Sequence, residues 1–251
     1  MNPASQDEPR LRARVHAWLQ LVRPPNLFTV PGDPVAGMLL ALPAAAAPEG
    51  RTMAAAAAAS LAVYAAGLID NDLADHCDDL QRRPERPLPA GRVSARAARA
   101  AAGGLFTIPF AIGLALRLPL AWLAVHGALL IAVLAYNRIK RRCAPAGFML
   151  MGLCRALSLV SGAAATGAMA TGPAVPIAAA VWWIYIAALT RYAAEEAGDP
   201  RRQIVVGRLI RGMLPLQAAA CLFHPHGRVA AAGLVLLWFA AGRAGKVFYG
   251  S

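Results

Sequence analysis

Residues 52–79 read TMAAAAAASLAVYAAGLIDNDLADHCDD, an apolar run that ends abruptly in acid. The first 18 positions of this stretch, residues 52–69, contain no charged side chain, whereas residues 70–79 contain five aspartates. A helix needs about 20 apolar residues to cross the hydrocarbon of a bilayer. The stretch therefore predicts a membrane-spanning helix whose last turns emerge into water with a concentrated negative charge.

Apolar runs of similar length recur along the whole chain. Eight are found, at residues 27–47, 52–69, 95–116, 120–136, 145–165, 174–194, 204–223 and 229–241. Hydrophobic residues make up 58% of the chain and charged residues 15%, against about a quarter charged in a soluble domain. We therefore predict an all-α integral membrane protein, folded as one domain over residues 1–251.

Basic residues concentrate in alternate loops. Residues 82–99 hold six arginines and residues 138–142 hold three arginines and one lysine, whereas the loops between carry one basic residue or none. The positive-inside rule then predicts a multi-pass protein of the cell inner membrane, with residues 1–22 as a cytoplasmic N-terminal arm. The net charge of +12 is explained by these loops, and no nucleic-acid-binding motif accompanies it, so no nucleic acid partner is predicted. The four cysteines are scattered without a CxxC pair and are interpreted as free thiols.

The acidic stretch has helical spacing. Asn71, Asp75 and Asp79 stand at i, i+4 and i+8, with Asp72 three residues before Asp75, so a continuous helix puts all four on one face. Like charges at this spacing destabilise a helix unless a cation compensates. Hard oxygen ligands on one face suit Mg²⁺, which also accepts phosphate oxygens. A solvated helix end is the structural alternative.

Two basic groups complete the pattern. Arg83 and Arg86 follow the acidic face directly, and Lys140 and Arg141 lie at the end of the fourth apolar run. Carboxylates that hold a metal, next to cations that hold phosphate oxygens, form a diphosphate site.

The string N-D-x-x-D-x-x-x-D, followed by R-x-x-R-P-L-x-x-G, resembles the first signature of the UbiA superfamily of intramembrane prenyltransferases. It is matched by Asn71, Asp72, Asp75, Asp79, Arg83, Arg86, Pro87, Leu88 and Gly91. Tyr136, Lys140 and Arg141 resemble the family's Y-x-x-x-K-R, and Asn26 closes a segment resembling its motif before the first helix. Local features resemble the EboC-like branch of the superfamily.

The resemblance implies a bundle of about eight, or up to nine, helices around a central cavity with a cytoplasmic cap. It implies Mg²⁺ as cofactor, held by Asn71, Asp72, Asp75 and Asp79 and by a second acidic motif. The family's second motif is D-x-x-x-D; the matching residues here are Glu195 and Asp199, so Glu replaces the first Asp. Asp72, Asp75, Lys140 and Arg141 are then expected to be catalytic, and Arg83, Arg86, Lys140 and Arg141 to bind the diphosphate.

Asp33 and Arg155 are charged residues that lie well inside apolar runs, away from the ends. Asp33 lies in the first run and Arg155 in the fifth, and charges at membrane depth line cavities or pair with each other. Together with Asn26 and Tyr136, they are the residues expected at the cavity or at the acceptor. An ion pair between helices, with no part in catalysis, is the alternative.

The function implied is Mg²⁺-dependent transfer of an isoprenyl group from an isoprenyl diphosphate to an unidentified lipophilic or aromatic acceptor in the bilayer. A UbiA-like isoprenoid binder or transporter without transfer activity remains the alternative, because the second acidic motif is altered. An unrelated channel would need more polar residues in mid-membrane. An alcohol phosphotransferase would need a D-G-x-x-A-R string, which this sequence lacks.

Overall fold

The computed structural model describes residues 4–167, 172–195 and 199–249, and within them the chain is helical with no strand. The helices are α1 (Ala4–Val22), α2 (Pro24–Leu27), α3 (Gly32–Ala41), α4 (Gly50–Ala74), α5 (His76–Arg82), α6 (Ala95–Ala115), α7 (Leu120–Ile139), α8 (Ala144–Ala165), α9 (Ala174–Ala193), α10 (Pro200–Cys221) and α11 (Arg228–Tyr249). The all-α prediction is confirmed.

Six of the described helices are long and apolar enough to cross a membrane, namely α4 and α6 to α10. Each of the eight predicted runs has a helical counterpart, and α11 covers the last run and continues to Tyr249. The chain is therefore a multi-pass membrane protein, as predicted.

The first run is the exception, because it is not one spanning helix. Residues 28–31 interrupt it, and α3 has only ten residues, which reach about 15 Å. Pro31 precedes α3 and Pro34 lies in its first turn, where the missing N–H of proline is tolerated. In a helix that continued from residue 27, both prolines would be interior and would remove backbone hydrogen bonds. The apolar run at residues 27–47 therefore contains a break and is not a single spanning helix.

Helix α8 holds the bundle together. It packs on α3, α7 and α9, and it is the most buried of the six candidate spans. The crossing with α3 depends on two glycines: a Cβ on Gly37 would lie 1.8 Å from the Leu159 carbonyl oxygen, and one on Gly162 would lie 1.8 Å from that of Pro34. Small residues of this kind let membrane helices approach closely.

The arm of residues 1–22, within the part described, forms helix α1. Ala17 and Leu21 are fully buried in a cluster with Ile69 and Leu88, whereas Leu11 and Val15 are exposed. These contacts fix the arm against the acidic end of α4. Helix α1 ends at Val22, and the next residue, Arg23, lies beside the acidic residues.

Candidate active site

The acidic face at the end of α4 keeps a nearly helical course. Asp75 separates α4 from α5, but its N–H donates to the Asn71 carbonyl and its own carbonyl accepts from Asp79 N–H, both at 3.0 Å. The side chains of Asp72, Asp75 and Asp79 are buried. Within the described residues, however, the four predicted ligands do not converge on one point. They form two pairs, Asn71 with Asp75 and Asp72 with Asp79, and Asn71 Nδ2 links the pairs by donating to both Asp72 Oδ1 and Asp75 Oδ2 at 3.4 Å.

Lys140 lies between the first pair. Its Nζ donates to Asp75 Oδ2 at 2.8 Å and also to Asn71 Oδ1. An ammonium group thus occupies the position between two hard oxygen ligands, although 65 residues separate Lys140 from Asp75.

Arg86 lies between the second pair. Its Nη1 is 2.8 Å from Asp79 Oδ2 and 3.7 Å from Asp72 Oδ1. Asp72 Oδ1 also accepts from Arg23 Nη2 at 2.8 Å. Arg23 has a φ of 47°, the left-handed region that non-glycine residues rarely adopt, and it stands where α1 ends and α2 begins.

The outer rim is paired in the same way. Arg141 Nε lies 3.1 Å from Asp75 Oδ1, and Arg141 also contacts Asp78, while Arg138 lies 3.5 Å from Asp70 Oδ2. Five carboxylates thus face five cations, counting Arg23 and Arg86, Lys140, Arg138 and Arg141. Within the described residues, no three Asp, Glu, His or Cys side chains converge as metal ligands.

Arg83 is the predicted diphosphate ligand that stands apart. Its side chain is exposed, and among the described residues it makes no ion pair with these carboxylates. Gly91, the last residue of the motif, has a φ of 69°, so a glycine is needed where the loop turns back toward α6.

An apolar cavity opens from this cluster into the bundle. It has a volume of about 120 Å³, and Arg23, Asn71 and Tyr136 line it beside the ion pairs. Apolar side chains such as Val63, Leu129, Val133 and Met151 form its walls, and Arg155 lines it farther along. Of the four residues expected at the cavity, Tyr136 and Arg155 line it, whereas Asn26 and Asp33 do not.

Asp33 instead forms the centre of a buried network. It is 0% exposed, and its carboxylate accepts from Arg155 Nη2 at 3.2 Å, Trp182 Nε1 at 2.9 Å and Gln217 Nε2 at 2.6 Å. Arg155 and Gln217 also donate to the Thr29 carbonyl, at 2.9 and 2.8 Å. Thr29 lies in the break between α2 and α3, so these donors satisfy a backbone group that a broken membrane helix leaves free.

The second acidic motif lies between α9 and α10. Glu195 pairs with Arg202, and Asp199 caps α10 by accepting from the N–H groups of Arg201 and Arg202 at 2.9 and 3.3 Å. The hydrogen bond and charge of Arg202 hold the pKa of the Glu195 carboxyl below its usual value, so it is ionised at neutral pH. Residues 196–198 lie outside the described residues, and among the residues that the structure describes no hydrogen bond or ion pair joins Glu195 or Asp199 to the pairs on α4.

Sequence reasoning missed several members of these networks. Arg23 lies three residues before Asn26, in the segment that resembles the family's motif before the first apolar run, but nothing in its spacing indicates that it reaches Asp72. Trp182 and Gln217 are ordinary residues of apolar helices, and only the fold brings them to Asp33. The available signal in the sequence was Asp33 itself, because a carboxylate buried in an apolar run requires hydrogen-bond donors from neighbouring helices.

The sequence profile of the UbiA prenyltransferase family matches residues 34–249, most of the chain and all of the bundle after the first break. The chain belongs to the UbiA prenyltransferase family. The UbiA membership predicted from the acidic and basic motifs is confirmed.

Similar UbiA sequences include proteins named digeranylgeranylglyceryl phosphate synthase. The one from Natronomonas pharaonis is 30% identical over 154 residues, which cover 61% of this chain and 54% of the relative. The one from Ignicoccus hospitalis is 34% identical over 158 residues, covering 61% and 48%. The chain thus spans about half the length of the relatives it matches.

Solved UbiA structures share the fold. A homologue from Archaeoglobus fulgidus bound to DMAPP and Mg²⁺ superposes with a TM-score of 0.59 at 12% identity, over 89% of this chain and 85% of the other. A homologue from Aeropyrum pernix K1 gives 0.58 at 20% identity, over 89% and 90%. The predicted all-α bundle is confirmed, but six of the described helices, rather than about eight, are long and apolar enough to span a membrane.

The residues present suit Mg²⁺ by their chemistry. Asn71, Asp72, Asp75 and Asp79 offer only hard oxygen ligands, and side-chain cations occupy both gaps between them. Mg²⁺ that binds together with a diphosphate could take the place of those side-chain cations beside the carboxylates. The displaced cations could then bind the oxygens of the diphosphate.

Proposed function

We propose that this UbiA protein is a Mg²⁺-dependent prenyltransferase, which moves an isoprenyl group from an isoprenyl diphosphate to a lipophilic or aromatic acceptor within the membrane. The single observation that carries the proposal is that buried carboxylates and the side-chain cations paired with them lie together at one end of an apolar cavity. The donor has the same two-part chemistry, since its diphosphate prefers cations and metal while its tail prefers an apolar environment.

The ion pairs suggest how the donor binds. Asn71, Asp72, Asp75 and Asp79 would hold Mg²⁺, with Glu195 and Asp199 supplying ligands from the other side. Lys140, Arg86 and Arg141, released from those carboxylates, would turn to the diphosphate oxygens, and the exposed Arg83 would join them. Each cation then exchanges one anionic partner for another, so no charge is left unpaired in a buried site.

Chemistry follows from electrostatics at the leaving group. Bound Mg²⁺ supplies Lewis-acid stabilisation of the diphosphate. Lys140 and Arg141 stabilise the charge that develops there as the allylic C–O bond breaks and the diphosphate leaves with the electron pair. The acceptor then attacks the allylic carbon and loses a proton. Tyr136, beside Lys140 and on the cavity wall, lies where its ring faces that cation.

The alternation of basic loops supports a location of this site at the cytoplasmic face of the cell inner membrane. The diphosphate head of the donor is hydrated, so it would reach the site from the cytoplasm. The isoprenyl tail would enter the cavity either from the cytoplasm or from the bilayer.

A second candidate is an isoprenoid-binding protein without transfer activity. The specific observation that favours it is the second acidic motif, in which a Glu replaces Asp and pairs with Arg202. Metal-dependent binding of the donor is common to both candidates, and release of diphosphate separates them.

The test uses purified protein with labelled geranyl, farnesyl and geranylgeranyl diphosphate, Mg²⁺ and a panel of acceptors. We expect Mg²⁺-dependent release of diphosphate, which falls at least about 100-fold in the Asp72→Asn, Asp75→Asn double variant. Asp70→Asn is the matched control, because Asp70 belongs to the same helix end but pairs with Asn137 and Arg138. Binding without release would favour the non-catalytic protein, and no binding would contradict both.

A further inference from the structure

The cavity has a second polar region, well away from the acidic cluster. Arg155, Ser158 and Ser60 line it there together with Tyr64. Arg155 lies 11 residues into α8, about 16 Å along the helix from Ala144, and is only 6% exposed. A guanidinium at this depth is costly unless its donors are used.

One side of the Arg155 guanidinium faces Asp33 and Thr29. Its Nε lies 2.9 Å from Asp33 Oδ2, and its Nη2 donates to Asp33 Oδ1 and to the Thr29 carbonyl. Its Nη1 makes no hydrogen bond or ion pair with any residue that the structure describes. Because Arg155 lines the cavity, its unused N–H donors are available to a molecule inside it.

The charge of Arg155 is already balanced. Asp33 is 0% exposed and pairs with it on the side away from the cavity, held by Trp182 and Gln217. A carboxylate or phosphate at Nη1 would leave two anions facing one buried cation, with the full desolvation penalty of the second anion. An uncharged oxygen would satisfy the N–H donors without adding a charge.

We propose that the acceptor of this enzyme carries an uncharged oxygen, as a carbonyl, hydroxyl or ether, that hydrogen-bonds to Arg155 Nη1 in the cavity. Asp33 is a positioning residue, which fixes the guanidinium and excludes anionic groups from this end. This role rests on the proposed prenyl transfer only in that the bound molecule is the acceptor. The preference of the cavity for an uncharged oxygen is a binding property that can be measured without transfer.

The alternative is a purely structural ion pair that closes the break between α2 and α3. That role requires the contacts of Arg155 to Asp33 and Thr29, but it gives no preference among molecules in the cavity. Selectivity for an oxygen and its dependence on the charge of Asp33 therefore distinguish the two.

Three probes of nearly the same shape provide the test: 1-acetonaphthone, which has a ketone, 1-naphthoate, which has a carboxylate, and 1-isopropenylnaphthalene, which has neither. Their binding to the full-length protein in nanodiscs is measured by equilibrium dialysis against empty nanodiscs. We expect the ketone to bind at least about 10-fold more tightly than either of the others, as one hydrogen bond from a charged donor gives. Equal affinities would overturn the proposal, and this ranking needs no variant.

Asp33→Asn makes the sharper prediction. It is close to isosteric and keeps an oxygen for Trp182 and Gln217, but it leaves the charge of Arg155 unbalanced. The affinity for 1-naphthoate should rise at least about 10-fold, while that for the ketone changes little. An unchanged ranking would contradict the role given to Asp33.

Trp182→Phe is the matched structural control, because it removes one donor to Asp33 without touching the cavity lining. The Asp33→Asn, Arg155→Met double variant should lose the preference for the ketone, whereas Trp182→Phe should keep it. Equal losses in both would assign the effect to loosened packing. If diphosphate release fails while the ketone preference holds, the proposed transferase is wrong and the oxygen site stands.

Discussion

At the scale of single residues, the carboxylates at the end of α4 are all occupied by cations from elsewhere in the chain. Lys140 bridges Asn71 and Asp75, and Arg86 bridges Asp72 and Asp79. Binding of the proposed donor would therefore exchange ion pairs, because leaving a compensated charge without a partner in a buried site is costly.

Lys140→Met removes the cation that would turn from Asp75 to the leaving group. We expect the rate of diphosphate release to fall about 100-fold or more, because the negative charge that develops on the leaving diphosphate in the transition state would lose one hydrogen-bond donor. The measurement is the single-turnover rate with geranyl diphosphate. Arg142→Met is the matched control, as Arg142 is exposed two residues away, and an equal fall there would assign the effect to general surface charge.

Asp199 has two separable roles. Asp199→Ala removes the cap of α10 and should lower the free energy of unfolding by about 1 kcal/mol, whereas Asp199→Asn keeps a capping oxygen. If the carboxylate also binds metal, both variants should raise the Mg²⁺ concentration for half-maximal release about 10-fold. If only the stability changes and the Mg²⁺ dependence is unchanged in both variants, Asp199 serves only as the cap of α10.

At the scale of helices, the α3–α8 crossing positions Arg155 against Asp33 and Thr29. It is so close that neither Gly37 nor Gly162 has room for a Cβ. The break between α2 and α3 and this crossing act together, because the break turns the Thr29 carbonyl toward donors on α8 and α10.

Gly162→Ala should therefore destabilise the protein by about 1–3 kcal/mol, as overpacking of a tight interface does. Gly104→Ala is the control: it lies in α6 with nothing within 4 Å of its added Cβ, and Ala favours the helix over Gly. Thermal unfolding in detergent measures both. A loss of stability in Gly104→Ala as large as that in Gly162→Ala would contradict the packing argument.

Most helix boundaries were predictable, because an apolar run in a membrane is also a structural unit. The run at residues 120–136 became α7 (Leu120–Ile139), and the run at 145–165 became α8 (Ala144–Ala165). The break in the first run was not, since prolines in membrane helices are often accommodated by neighbours and the sequence does not reveal those neighbours. The residue types of the candidate site were predictable from spacing, but their pairing was not: a contact between Lys140 and Asp75 depends on how α4 and α7 pack.

At the scale of the whole molecule, the proposed orientation can be tested with the native cysteines. Cys77 and Cys143 are exposed next to the acidic and basic motifs, whereas Cys154 and Cys221 are buried. A membrane-impermeant maleimide should label the protein in inside-out vesicles and not in right-side-out vesicles. Variants with Cys77→Ser and Cys143→Ser should lose that labelling, and labelling from the outer face would reverse the orientation.

We propose that an isoprenyl diphosphate binds where the charged end of the bundle meets its apolar cavity. An experimental structure with Mg²⁺ and the unreactive geranyl S-thiolodiphosphate tests this most directly. We expect the diphosphate to lie between Arg86, Lys140 and Arg141, the metal on the Asn71–Asp79 face, and the geranyl chain in the cavity lined by Tyr136. A diphosphate bound elsewhere, with the ion pairs of Lys140 and Arg86 unchanged, would contradict it.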